Sequence, residues 1–134
     1  MEIQFYYLRI LFKVNSIWKR FLTTSFFIYV ELENFIKDEI SRMFERKRKF
    51  VNVEAKLDVG FLDHQPIEGE SVYGEAYPFE KPPRVRIDIF PIDATKKDIE
   101  ATICHELVHI KHPELEHGKE FEKKVKECIT ESFM

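Results

Sequence analysis

The chain has 134 residues, of which 44% are hydrophobic and 34% charged, with a formal charge of −3 and two cysteines. That length fits one domain, and the mix excludes a collagen-like, low-complexity or disulfide-stapled chain. The negative balance argues against a general nucleic-acid binder, which carries a basic patch, and the two cysteines point to a reducing, cytoplasmic setting.

Residues 1–29 differ from the rest. They hold nine of the nineteen aromatics and four Lys/Arg against Glu2 alone, a net +3 that leaves −6 on residues 30–134. A membrane-spanning helix needs roughly 20 mostly apolar residues, whereas the longest uncharged stretch here is only Phe21 to Val30. No A-x-A-like site follows it, so a secretory signal does not fit. Leu8, Leu11, Phe12, Trp18 and Leu22 can line one face of an interfacial helix, which makes membrane contact through residues 1–29 the less favoured reading. The favoured one treats 1–29 as an upstream extension and 30–134 as the domain.

That domain reads as α+β. Between Glu31 and Lys49, Leu32, Phe35, Ile36, Ile40, Met43 and Phe44 recur at helical steps, and the run Glu45 to Lys49 suits a solvated, cationic helix end. Val51, Val53, Ala55, Leu57 and Val59 alternate with polar residues as in a half-buried strand. Residues 60–69 form a loop, 72–77 a second strand, and Pro78, Pro82 and Pro83 punctuate the next connection. Val85, Ile87 and Ile89 alternate with Arg84, Arg86 and Asp88, the clearest strand pattern in the chain. Thr95 and Asp98 form a capping-box pair ahead of a helix that Pro113 ends near Lys111. A last helix is expected from Leu115 through Ile129, with Phe121, Val125 and Cys128 inward.

The chemistry sits on these last two helices. His105-Glu106-Leu107-Val108-His109 is an H-E-x-x-H motif within a predicted helix. Residues four apart lie on one helix face, so both imidazoles can share a Zn²⁺ at about 2.0–2.1 Å, with Glu106 beside them as general base. A third ligand is sought among the neighbouring histidines. His112 lies on the same straight helix, where three ligands converge poorly; His117 lies beyond Pro113 and approaches from another direction, so His117 is preferred. His64 stands alone in a loop, and Cys104 and Cys128 read as buried, reduced core residues. Scarce Gln and Asn beside abundant Glu and Lys match a bias of hyperthermophile proteins.

Cys104 to His109 followed by His117-Gly118-Lys119-Glu120-Phe121 resembles the H-E-x-x-H … H-G-x-x-F pattern of small zincin metallopeptidases. It is similar to SprT-like domains and closer still to the minigluzincins. The resemblance covers residues 30–134 and implies a minimal zincin fold: an N-terminal helix, a small three-stranded sheet, an active-site helix and a ligand-bearing C-terminal helix. It also implies zinc ligands at His105, His109 and His117 and a catalytic Glu106. In zincins the strand before the active-site helix, here Arg84–Ile89, borders the cleft and can pair with an extended substrate.

The expected function is therefore zinc-dependent hydrolysis of a peptide or protein substrate, by a monomer or homodimer with no nucleic-acid partner. The alternatives are a non-catalytic protein stapled by zinc, which Cys104 or Cys128 as fourth ligand would favour, and a zinc endoribonuclease, against which Glu106 and the acidic body both argue. Minigluzincins are latent through their C-terminal segments. Here Thr130 to Met134 can span about 17 Å, enough to bring the Glu131 or Met134 carboxylate back towards the metal.

Overall fold

The computed structural model describes residues 23–91 and 93–133, with side chains from residue 31 onward except Leu32. The apolar face expected between Leu8 and Leu22 lies outside the described residues. The elements are α1 (Thr23–Val51), β1 (Lys56–Phe61), β2 (Val72–Tyr77), β3 (Arg84–Ile89), α2 (Lys96–Lys111) and α3 (Lys119–Thr130). Among the described residues, three helices and a three-stranded mixed sheet make the α+β arrangement that the sequence predicts.

Helix α1 begins at Thr23, so the boundary expected at Val30 falls inside a continuous helix of 29 residues. Its buried stripe is Ile36, Ile40, Met43 and Phe44; each such side chain, removed from water, contributes about 1.5–3 kcal/mol. Phe35, expected on that face, is exposed, because it sits one residue off the stripe. Continuing the same spacing brings Lys47 inward. The helix stops where Asn52 takes a left-handed conformation (φ 63°). There Asn52 N donates to Lys49 O and Val53 N to Arg48 O, a paired closure that satisfies the last carbonyls. Consequently the strand expected from Val51 starts only at Lys56; Val51 closes the helix, and Val53 and Ala55 pack half-buried on the core from the connection.

The sheet order is β1-β3-β2, with β1 parallel and β2 antiparallel to β3. Strand β3 is central because its inward residues are wholly apolar: Val85, Ile87 and Ile89 are buried while Arg84, Arg86 and Asp88 face outward. The outward face carries ion pairs, Arg84 to Asp58 at 2.8 Å and to Glu80 at 2.9 Å, and Arg86 to Asp88 at 2.8 Å. The inward face packs on α1 and α2 through Ile36, Ile40, Ile99, Ile103 and Leu107. The predicted capping box starts α2, with Thr95 Oγ1 accepting from Asp98 N at 3.1 Å.

Helix α3 starts at Lys119, later than Leu115, since the chain from Pro113 is still turning and Gly118 is the N-cap. Its inward residues Phe121, Val125 and Cys128 meet Cys104 and Val108 of α2 in a second apolar cluster. Both cysteines are free thiols. At the far end of α3, Glu131 adopts a left-handed conformation and Lys47 reaches in from α1. The Lys47 side chain is only 1% exposed. Its Nζ donates to the Cys128 and Ile129 carbonyls, each at 2.9 Å, and pairs with Glu131 at 3.0 Å and Glu100 at 3.3 Å. The run Glu45 to Lys49, expected to be a solvated helix end, therefore contributes one cation to the interior. Burial pulls the Lys47 pKa down, but the Glu131 and Glu100 carboxylates outweigh it and hold the pKa above the ordinary lysine value. No helix among the described residues is long and apolar enough to cross a membrane.

Replacing Lys47 leaves two helix-end carbonyls and two carboxylates without their shared donor. Lys47→Ala is expected to cost about 2–4 kcal/mol in urea unfolding, below the full cost of orphaning a buried pair because Glu131 and Glu100 are partly exposed. A loss under about 0.5 kcal/mol would show that the α3 terminus does not depend on this ammonium.

Candidate metal centre

The periodicity of α2 divides its residues among three surroundings. Ile99, Ile103 and Leu107 face the sheet and α1, Cys104 and Val108 face α3, and His105, Glu106 and His109 remain on the side that opens to a cleft. The cleft encloses about 410 Å³ and is lined by Gly74, Glu75, Ala76, Pro78, Pro113 and His117 besides those three residues.

His105 and His109, one helical turn apart, turn their rings towards each other, with Nε2 atoms 3.1 Å apart. His117, carried past the Pro113 turn to the approach of α3, places its Nε2 2.9 Å from that of His109. Among the described residues these three histidines form a group whose ligand atoms lie close enough to hold a metal ion. His112 is not among them; it is the C-cap of α2. Two nitrogens bound at about 2.0–2.1 Å to one tetrahedral ion stand about 3.3–3.4 Å apart, close to the separations seen. Burial, and then the charges of His105 and His117, push His109 down to about 4. Burial and His117 likewise lower His105. Imidazoles kept neutral in this way present lone pairs, the form that binds a metal.

Phe121 forms the floor of the group. It is fully buried, and its ring centroid lies 4.8, 4.6 and 4.9 Å from those of His105, His109 and His117. Three imidazoles are thus braced by one aromatic ring from α3, which restricts their rotamers before any ion arrives.

Glu106 is 7% exposed, and among the described residues no group donates a hydrogen bond to its carboxylate. Buried polar groups nearly always find a partner, so this one calls for a functional explanation. Burial, and then the nearby Glu75 charge, push its pKa up to about 7. Gly74 makes room for it: a Cβ at that position would come 2.8 Å from Glu106 Cγ and 2.6 Å from Thr102 Cγ2. The edge strand therefore lies against α2 only because residue 74 has no side chain.

Two expectations change here. Strand β3 does not border the cleft with a free edge, since it is hydrogen-bonded on both sides; β2 is the edge strand, and its Gly74, Glu75 and Ala76 line the cleft. Glu131 is ion-paired with Lys47 and Arg46, and Phe133 stacks on Phe50 of α1 at 4.9 Å, so this part of the tail packs on α1. Met134 lies outside the described residues. Gly74, Glu75 and the bracing role of Phe121 emerge only in the folded chain; of these, only Phe121 carries a signal in the sequence, through its place after His117-Gly118. No family model, characterised protein or solved structure matches the chain.

The geometry predicts one metal ion per chain. His105→Ala, His109→Ala and His117→Ala should each abolish stoichiometric binding in a chelator-competition assay, while His112→Ala should leave it intact. Full binding by the His117 variant would break the assignment. Gly74→Ala should lower stability by about 1–3 kcal/mol through overpacking, and adding Thr102→Ser, which removes the closest clashing methyl, should recover part of that loss in thermal melts.

Proposed function

We propose that the chain is a zinc-dependent metallopeptidase. The observation that carries this reading is Glu106: a buried carboxyl with no hydrogen-bond donor among the described residues, set beside three converging imidazole nitrogens in an open cleft. A donor set of three histidines suits Zn²⁺ and would leave a coordination position open, the pattern of a catalytic site. When bound there, zinc supplies a Lewis acid that polarises a carbonyl and acidifies water. The chain's own residues do the rest. Glu106 accepts the proton of the attacking water on a carboxylate oxygen and returns it to the leaving amine. His105, His109 and His117, braced by Phe121, would hold the ion beside that carboxylate. The free edge of β2 offers backbone groups to an extended peptide, which it can align across the cleft by strand addition.

The resemblance to minigluzincins rests on the His105 to His109 motif and the His117 to Phe121 segment, and the convergence of those residues is consistent with it. A zinc-stapled, non-catalytic site is less well supported, because Cys104 and Cys128 lie in the cluster between α2 and α3 and not with the histidines. A nuclease is disfavoured by the lining of the cleft, which among the described residues includes no lysine or arginine. The pairing of Glu131 with Lys47 favours an accessible site, so the proposal includes no latency through that carboxylate.

Glu106→Gln separates the metal from the chemistry. The variant should bind zinc as the parent does and lose roughly 10²-fold or more of its casein hydrolysis, the scale of a missing general base. Undiminished hydrolysis in a clean preparation would overturn the mechanism.

A further inference from the structure

The cleft has a fixed sign of charge beyond the histidines. Its lining includes two ionisable residues other than them, Glu75 and Glu106. Glu106 is spoken for by the mechanism; Glu75 is not. It is exposed on the edge strand, and Tyr77 holds it in place, the phenol donating to Glu75 Oε2 at 2.7 Å. The Tyr77 ring is in turn covered by the Arg84 guanidinium, 4.1 Å from its centroid. Neither neighbouring arginine neutralises Glu75. Arg86, its cross-strand partner in the β2–β3 register, pairs with Asp88, and Arg84 pairs with Asp58 and Glu80. The Glu75 carboxylate is thus oriented by a neutral donor while both nearby cations are engaged elsewhere.

Its position decides what it can select. Gly74 touches Glu106, so an extended chain added along β2 has the residues around its scissile bond at the level of Gly74 to Ala76. Side chains alternate along such a strand, and those emerging on the side of Glu75 become its cross-strand neighbours, where opposite charges attract and like charges repel. We infer that Glu75 is a specificity-determining residue that favours substrates carrying a lysine or arginine close to the scissile bond. The inference takes its substrate path from the peptidase reading.

The test uses the zinc-loaded full chain and sets of peptides identical except for Lys, Gln or Glu at each position within about three residues of the cut, with cleavage mapped by mass spectrometry. At one of these positions Lys should be favoured over Gln by about two- to fivefold in kcat/KM, the scale of a partly exposed charge pair, and mainly through KM. Glu75→Gln should erase that preference, and Glu75→Lys should reverse it in favour of Glu. Cleavage without a basic preference, or with the same preference in Glu75→Lys, overturns this inference and leaves the peptidase reading intact. A second measurement needs no hydrolysis: labelled peptides titrated into zinc-loaded Glu106→Gln protein should bind more tightly with Lys than with Glu, and Glu75→Lys in that background should invert the order. Charge-selective binding with no cleavage by the parent chain would overturn the peptidase reading while keeping Glu75 as the selective group; equal binding of the two peptides overturns Glu75.

Discussion

The Lys47 ammonium draws together groups from the three described helices. Two carbonyls at the end of α3, the Glu131 carboxylate just beyond them and Glu100 of α2 meet on a cation that α1 delivers through its buried stripe. A buried charge is tolerated only when its partners are in place, so the geometry here is demanding: α3 must end where Lys47 is. A helix of 12 residues is a rod of about 18 Å, and with one end pinned and Phe121, Val125 and Cys128 packed on α2, the other end is fixed as well. His117 stands at that other end. The third nitrogen of the candidate metal site is therefore held from behind by an interaction at the other end of α3.

Helix α2 gives the site its remaining rigidity. Most of its circumference is committed to packing, and only the narrow strip that bears His105, Glu106 and His109 reaches the cleft. Side chains carried on a packed helix keep their geometry better than those on loops. The same arrangement explains the electrostatics. Placing a carboxyl between a packed helix and a strand that lies against it at Gly74 excludes water from one side, which raises Glu106, while burial lowers His105 and His109 for the same reason. One burial event thus shifts Glu106 and two of the three candidate ligands together.

Much of this was legible in the sequence wherever it depended on neighbours along the chain. Strands β2 and β3, the capped start of α2 and the His105, His109 and His117 group follow from period-two alternation, a capping box and ligand spacing. What escaped were consequences of distant contacts. Lys47 looked like part of a basic helix end, although its spacing from Met43 and Phe44 places it on the buried stripe. Val51 and Val53 mimicked a strand, but the left-handed turn at Asn52 interrupts them. Chain order points to β3 as the cleft-bordering strand because β3 precedes α2; the sheet order β1-β3-β2 assigns that place to β2, and no local pattern in 72–77 announces an edge beside the histidine group. Gly74 likewise has meaning only once Glu106 stands opposite it.

The sheet order also bears on how the domain assembles. β2 and β3 form a hairpin of nearby residues, and α2 and α3 follow directly, so every residue lining the cleft, from Gly74 to His117, belongs to one stretch rich in short-range contacts. β1 must instead reach β3 across the whole hairpin, pairing Lys56 with Arg84, and α1 arrives with it. Loop closure delays such long-range pairings relative to local ones. The ligand-bearing half is thus expected to gather first as a loose metal-competent unit, and the docking of α1 with Lys47 to close and stiffen it. Formation of the site would end with a segment that supplies none of its ligands.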